Sequence, residues 1–316
     1  MEVFNQERLL QVHERIAPYI HETPILSSTL INEIAGCAIF FKCENFQKMG
    51  AFKMRGATNA ILQLSREDQQ KGVVTHSSGN FAQALSLAAK SLGVPAYIVM
   101  PSNAPQVKKD AVKTYGGNIT ECPATLKDRE ETALKIVNEK GATFVHPSND
   151  IEVILGQGTA ALELLQKKPN LDIVMTPVGG GGLIGGTALA VNLFAKNTKT
   201  IGAEPFEVDD AYRSLISGKI ETNESINTIA DGLKTQLGDK NFPIIQKHVE
   251  EIIRVTEDEI KNALKLIWER MKIVVEPSSA VALAAILKEP AKFKNKQIGL
   301  IISGGNVDLG KLSELF

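Results

Sequence analysis

Residues 173–195 read IVMTPVGGGGLIGGTALAVNLFA: an apolar run closed by Pro177, four consecutive glycines, two more at 185 and 186, and then a segment with helix periodicity. The stretch carries no charged side chain and is long enough to cross a bilayer. Six of its 23 residues are glycine, however, and with Pro177 beside them a strand, a loop and a helix account for it better than one continuous helix. A glycine-rich turn between strand and helix exposes consecutive N–H groups at the positive end of the helix dipole, and the missing Cβ atoms let an anion touch the backbone. Tight packing explains one or two such glycines but not four in succession. Phosphate binding at Gly179, Gly180, Gly181 and Gly182 is therefore expected.

The pattern around this stretch is that of an open parallel sheet. From Gly72 to Val145 short β-branched runs (GVVTH, AYIVM, NITEC, TFVH) alternate with amphipathic segments (NFAQALSLAAKSLG, APQVKKDAVKTYG, LKDREETALKIVNEKG) that close on glycine. A second series starts with a helix around Gln157 to Gln166. It continues through IVMTPV, the glycine run, KTIGAE, EEIIRV, two helices and QIGLIIS, and Thr256 and Glu259 form a capping box on one of those helices. The first 70 residues supply strands and a helix that must join one of the two sheets. No Pro/Ser-rich linker separates the series, so the fold class is α/β, two tightly packed parallel-sheet units. Ligands of such sheets bind where the loops after the strands meet.

Bulk composition narrows the partners. The 316 residues include 35 basic and 36 acidic side chains, and 43% are hydrophobic, which suits a globular chain with a small neutral or zwitterionic ligand and disfavours nucleic acid or an anionic membrane. Cys37, Cys43 and Cys122 are odd in number and form no CxxC pair, as expected of buried thiols in a reducing compartment. The N-terminal MEVFNQERLLQVHERI has charges in every turn and no signal-like apolar core, so a cytoplasmic location is expected.

Three loops and one lysine carry the chemistry. Besides the glycine run, THSSGNFAQA (75–84) places Ser77, Ser78, Gly79 and Asn80 at a strand-to-helix turn suited to a carboxylate, although ordinary N-capping explains it too. SGGNVD (303–308) follows an apolar strand and could be a plain turn, and Lys53 in GAFKMRGA could be a surface charge. Gly180, Gly182 and Gly185 also satisfy G-x-G-x-x-G, with Glu204 placed like the ribose-binding acid of a dinucleotide fold, whereas a Walker A register fails because Gly186 stands at the lysine position. A dinucleotide enzyme would leave Lys53 and two of the loops idle. A lysine, a phosphate cup, a carboxylate cup and a neutral hydroxyl at a third strand end are the parts that hold pyridoxal phosphate and an amino acid.

FKMRGA, THSSGNFAQA, PVGGGGLIGG and SGGN, in that order, resemble over nearly the whole chain the fold-type II pyridoxal-phosphate enzymes, specifically the serine racemase and threonine/serine dehydratase family. The resemblance implies two α/β domains of the tryptophan synthase β kind with the active site between them: residues 1–68 and 149–316 as the large cofactor-binding domain and 69–148 as the small one. It implies that Lys53 carries the cofactor and, once freed by substrate, moves the Cα proton. Phe52 would lie against the ring, Asn80 bind its 3-hydroxyl, Gly179 to Gly182 the phosphate, and Ser303 the pyridine nitrogen. A neutral serine there does not hold the nitrogen protonated, which favours loss of a β-hydroxyl. The implied activity is deamination of serine, threonine or 3-hydroxyaspartate to a 2-oxo acid and ammonia. Ser78 matches the residue that reprotonates Cα from the opposite face in racemases, so serine racemisation is a further implied activity.

The resemblance also implies a Mg²⁺ or Ca²⁺ site in GAEPFEVDDA, from Glu204, the Val208 carbonyl and Asp210, oxygen ligands suited to a hard cation. A homodimer is implied as well. Arg129 in LKDRE aligns with an arginine that reaches the active site in racemase-like members; an exposed helix arginine pairing with Glu130 or Glu131 is the alternative. Three features depart from the pattern. Phe81 stands where histidine is commoner, HPSNDIEV replaces the HPFDD of many threonine dehydratases, and the sequence stops at Phe316, leaving no expectation of a C-terminal regulatory domain. A β-replacement synthase is the nearest rival within the fold, but its asparagine-proline-threonine and lysine-aspartate-arginine patterns are missing.

Overall fold

The computed structural model describes residues 4–310. The chain opens with α1 (Gln6–Ile16), β1 (Ile25–Leu26), α2 (Thr29–Ala35) and β2 (Ala38–Cys43), followed by α3 (Lys53–Leu62) and α4 (Arg66–Lys71). Then come β3 (Val73–His76), α5 (Asn80–Leu92), β4 (Ala96–Pro101), α6 (Gln106–Thr114), β5 (Asn118–Cys122), α7 (Leu126–Lys140) and β6 (Thr143–Phe144). The rest comprises α8 (Ile151–Lys167), β7 (Ile173–Pro177), α9 (Gly182–Phe194), β8 (Lys199–Pro205), α10 (Asp210–Ser217), α11 (Phe242–His248) and β9 (Glu251–Val255). It ends with α12 (Glu257–Met271), α13 (Pro277–Lys288), α14 (Pro290–Phe293) and β10 (Gln297–Ile302).

Two sheets result, in the orders β1-β2-β10-β7-β8-β9 and β5-β4-β3-β6. Every pairing is parallel except β1 on β2, where Ile25 faces Lys42 and makes the larger sheet mixed. A two-residue edge strand carries too few side chains to show a period, so its direction was not readable from sequence. The central strands β7 and β10 are buried on both faces, as parallel strands covered by helices on each side must be, and read as near-continuous apolar runs. Parallel pairing aligns strand ends, so the residues after β7 and β10 emerge at one edge of the large sheet, and those after β3 and β6 at one edge of the small one.

The expected helix around Gln157 is α8, which starts at Ile151 because the Asp150 carboxylate caps it, accepting from the N–H groups of Glu152 (2.8 Å) and Val153 (3.2 Å). Gly156 and Gly158 sit inside it, where glycine normally weakens a helix. Added Cβ atoms there would lie 2.6 Å from the Gly56 Cα and 2.6 Å from the Gly186 carbonyl oxygen. Both glycines serve backbone-to-backbone packing, of α8 against α3 and against α9. The capping box of Thr256 and Glu259 is present on α12. Among the described residues no helix is long and apolar enough to cross a membrane, and all three cysteines are free and buried.

Candidate active site

Helix α3 begins at Lys53 with no side-chain cap; Phe52, at the N-cap, donates its N–H to the Ser303 carbonyl at 3.0 Å. That bond ties the lysine segment to the loop after β10. The Lys53 ammonium donates to the Pro147 carbonyl oxygen at 2.7 Å, and its Nζ lies 5.0 Å from the Phe52 ring centre and 5.7 Å from that of Phe81. Burial pushes its pKa down to about 8, opposed by the charge of Glu276. A lysine so tuned has a reactive neutral fraction near neutral pH.

Two residues further on, Arg55 is fully buried and bonded at every nitrogen. It meets Glu44 through Nε (2.7 Å) and Nη2 (2.9 Å), Glu163 through Nη1 (2.7 Å) and Nη2 (2.8 Å), and Thr159 through Nη1 (3.1 Å). Lys42 adds a bond to Glu163 at 2.6 Å and His13 one at 3.1 Å. Burial alone would raise the Glu163 carboxyl, but His13, Arg55 and Lys42 outweigh it and hold it well below the usual carboxylate range. This ionic cluster behind the lysine had no signal in the sequence beyond the residues themselves.

The glycine loop lies between β7 and α9. Its glycines are required first by protein. A Cβ on Gly179 would come 2.8 Å from the Leu233 Cα, one on Gly180 2.4 Å from the Ser148 Oγ, and one on Gly182 3.0 Å from the Ser148 Cα. Gly181 has φ +80°, and a Cβ on it would come 2.7 Å from the Asn241 Oδ1. Packing therefore accounts for all four, contrary to the expectation that it covers one or two. What points to an anion is the donor set: the N–H groups of Gly179 through Ile184 find no acceptor among the described residues, and they stand at the N-terminus of α9. Asn241, unforeseen in the sequence, is fully buried and ties the loop by donating to the carbonyls of Gly180 (2.8 Å) and Ser148 (3.1 Å).

The serine loop after β3 ends at a second open helix terminus. Gly79 is the N-cap of α5, and the N–H groups of Ser78, Asn80, Phe81 and Ala82 are without acceptors among the described residues; Ser77 Oγ accepts from the Gly79 N–H at 3.3 Å, and Ser78 Oγ has no partner there. The Asn80 amide donates to both Glu276 oxygens (3.0 and 3.1 Å) and its Oδ1 accepts from Asn306 at 2.9 Å. Glu276, at the start of α13, is the main site residue that sequence reasoning missed, because glutamate before proline at a helix start reads as ordinary capping. Burial pushes it up to about 7, partly offset by the Asn80 bond. Ser303 is buried, its hydroxyl 2.9 Å from that of Ser279, with no charged partner in its bonds.

Arg129 lies on α7, half-buried, its Nε near the Thr125 carbonyl (3.4 Å). It forms no ion pair with Glu130 or Glu131 among the described residues, and its charge, after burial, lowers the pKa of His76, the residue before Ser77. Glu204 and Asp210 are fully buried. Glu204 accepts from the N–H groups of Ala211 (3.3 Å) and Tyr212 (2.9 Å); Asp210 accepts from Asn223 (2.8 Å) and the Leu237 N–H (2.9 Å). Burial, and for Glu204 the charge of Asp210, raises both carboxyls, Asp210 to about 6. The Val208 carbonyl oxygen accepts no hydrogen bond among the described residues, and Arg213 and Arg254 are occupied by Asp209. Among the described residues no cluster of three or more His, Cys, Asp or Glu could hold a metal. A ribose-binding acid has to be open to its ligand, which the buried Glu204 is not.

Comparison with known proteins gives a consistent picture. The family model for pyridoxal-phosphate dependent enzymes matches residues 16–304. Serine racemase of Dictyostelium discoideum is 52% identical over 309 residues, 96% of this chain and 95% of that protein. The beta-hydroxyaspartate dehydratase of Paracoccus denitrificans (strain Pd 1222) is 52% identical over 306 residues, 97% of both chains. Among solved structures, a T.th. threonine deaminase superimposes with a TM-score of 0.92 at 41% identity, covering 96% of this chain and 99% of that one.

Proposed function

The chain belongs to the pyridoxal-phosphate dependent enzymes, and from that premise we infer that it removes water from a β-hydroxy amino acid, giving a 2-oxo acid and ammonia, with serine racemisation as a second outcome at the same site. The observation that carries this reading is the Lys53 amine: half-buried, held by a carbonyl instead of a carboxylate, and lowered to about 8.

The residues suit the cofactor. A loop whose Cβ positions are filled by protein leaves the N–H groups from Gly179 onward free for its phosphate, Asn80 stands ready for the ring hydroxyl, Phe52 for the ring face, and the neutral Ser303 for the ring nitrogen. When bound, pyridoxal phosphate supplies an electrophilic carbonyl for the substrate amine and an electron sink for the Cα bonds. The free N–H groups at Ser78 and the start of α5 would hold the substrate carboxylate, with Ser77, Ser78, Gly79 and Asn80 lining the cup. The Lys53 amine would take the Cα proton and return it to the departing β-hydroxyl, which leaves as water; the freed enamine would then be hydrolysed by a second water to the 2-oxo acid and ammonia. Ser78, its hydroxyl without a partner among the described residues, would return a proton to the other face of Cα in racemisation. Relatives named for serine racemase and for beta-hydroxyaspartate dehydratase support serine and 3-hydroxyaspartate as substrates, beside the threonine of the threonine deaminase, and Arg129 would receive the second carboxylate of 3-hydroxyaspartate.

A divalent cation, Mg²⁺ or Ca²⁺, would sit between Glu204, Asp210 and the Val208 carbonyl. Support comes from two buried carboxylates without a basic partner and a carbonyl without a donor among the described residues. A homodimer would cover exposed apolar side chains such as Leu30 and Ile34 on α2.

The test is an assay of the cofactor-loaded protein with L-serine, L-threonine and the stereoisomers of 3-hydroxyaspartate, following 2-oxo acid, ammonia and D-serine. Release of 2-oxo acid and ammonia in equal amounts from serine or hydroxyaspartate is expected. Turnover confined to replacement of the β-substituent by an added thiol would overturn the reading.

A further inference from the structure

The acceptor that holds the Lys53 amine belongs to a turn with no sheet partner. Val145 makes the last strand-like bond of its segment, to the Val74 carbonyl, and the chain then runs His146-Pro147-Ser148-Asn149 into the cap of α8. What folds this turn is the His146 ring. Its Nδ1 accepts from the N–H groups of Ser148 (3.2 Å) and Asn149 (2.8 Å), so the imidazole replaces the backbone acceptor that the turn does not have. The proton of the neutral ring must then be on Nε2.

The ring itself is fixed. It stands edge-on to His76 (centres 6.0 Å apart, 86°) and to Phe144 (6.2 Å, 76°), while His76 and Phe144 stack on each other at 5.3 Å. The titratable groups around it are His76, Lys53, Lys240 and Asp239. Burial, reinforced by His76, Lys53 and Lys240 and opposed by Asp239, pushes His146 down to about 4, so it remains an acceptor through the neutral range. The turn touches both halves of the site: Pro147 meets the amine, while Ser148 meets the glycine loop through its hydroxyl at Gly180 and shares Asn241 with it.

We propose that His146 is a positioning residue for the Lys53 amine: its Nδ1 lone pair shapes the turn that presents the Pro147 carbonyl, and so fixes where the amine rests when it is not bonded to the cofactor. No catalytic role is assigned to the imidazole, and the inference rests on the reading that Lys53 moves the Cα proton. Sequence reasoning singled out HPSNDIEV only as a departure from a pattern and gave its histidine no part.

The geometry supplies a discriminating pair of variants. In His146→Asn the side-chain oxygen falls where Nδ1 is and can accept the same two N–H groups; in His146→Gln the oxygen is one bond further out and cannot. Two readouts are taken: kcat and KM of elimination by the holoenzyme, and the pH midpoint for capture of pyridoxal phosphate by cofactor-free protein. The expected result is a wild-type midpoint and kcat for His146→Asn, and for His146→Gln a shifted midpoint with kcat reduced about thirtyfold at unchanged KM, the scale of a small misplacement. A folded His146→Gln protein with wild-type midpoint and kcat overturns the proposal, as does an Asn variant that fails alongside it. If the Gln variant does not fold, the Asn variant decides alone: a wild-type midpoint supports the proposal and a shifted one defeats it. Failure of the underlying reading shows separately, as wild-type protein that captures no cofactor at Lys53.

Discussion

Lys53 and Arg55 stand two residues apart on α3, and the chain treats their charges in opposite ways. Arg55 is enclosed by two carboxylates and a hydroxyl that use all its nitrogens, and Lys42 joins the same cluster. Lys53 receives one carbonyl and two aromatic rings, with no carboxylate among the described residues bonded to it. A buried cation with full compensation stays charged and immobile, whereas one without it loses its proton readily and becomes a nucleophile. One short helix thus anchors its own reactive group: the locked residue fixes the register from which the unlocked one acts.

Breaking the locked half is expected to have the largest effect. Arg55→Met would leave Glu44 and Glu163 facing each other with only Lys42 and His13 for balance, and removal of one partner from a buried ion cluster costs about 3–5 kcal/mol. Chemical denaturation of the cofactor-free chain should show that loss as a lower midpoint. A variant as stable as wild type would mean that the cluster does not hold α3.

The unlocked half is sharpened by pH. The neutral amine is the nucleophile, so the rate at which cofactor-free protein captures pyridoxal phosphate should rise with pH and level off above about 8, where an ordinary lysine would still be rising toward 10.5. The linkage has a definite sign. The folded pKa lies below the unfolded one, so between about 8 and 10.5 the unfolded chain holds the extra proton. Lys53 therefore adds stability that is complete above 10.5 and is lost as the pH falls through 8. Stopped-flow capture across that range, with the Lys53→Ala protein as the blank, measures the midpoint.

A smaller effect is expected where the imbalance has the opposite sign. Glu204 and Asp210 are buried carboxyl groups with no bonded cation among the described residues, and a divalent ion at a hundred times its dissociation constant stabilises the fold by about 2.7 kcal/mol. Thermal unfolding with Mg²⁺ and with Ca²⁺ should show a rise in wild type that Glu204→Gln removes. An equal rise in the variant would place the cation elsewhere.

The sequence made the reactive half legible and the anchoring half opaque, for a physical reason. Lys53, the glycine run, the serine loop and Ser303 announce themselves because loops after strands carry unusual residue types in a fixed order. The alternation of strand and helix from Gly72 to Val145 was equally open, since each element shows its own period. Arg55, Glu163, Asn241, Glu276 and His146 act through contacts between distant segments, and nothing in their immediate neighbours distinguishes them from surface or capping residues. The packing role of the glycines of α8 was hidden for the same reason: their partners, Gly56 and Gly186, are about a hundred and about thirty positions away.

Whether Lys53 carries the cofactor is decided by locating its attachment point. The protein incubated with pyridoxal phosphate should absorb in the visible range, bleach on reduction with borohydride, and yield a peptide carrying the added mass on Lys53. A protein that stays colourless and unmodified, or that carries the mass on another lysine, would contradict the account.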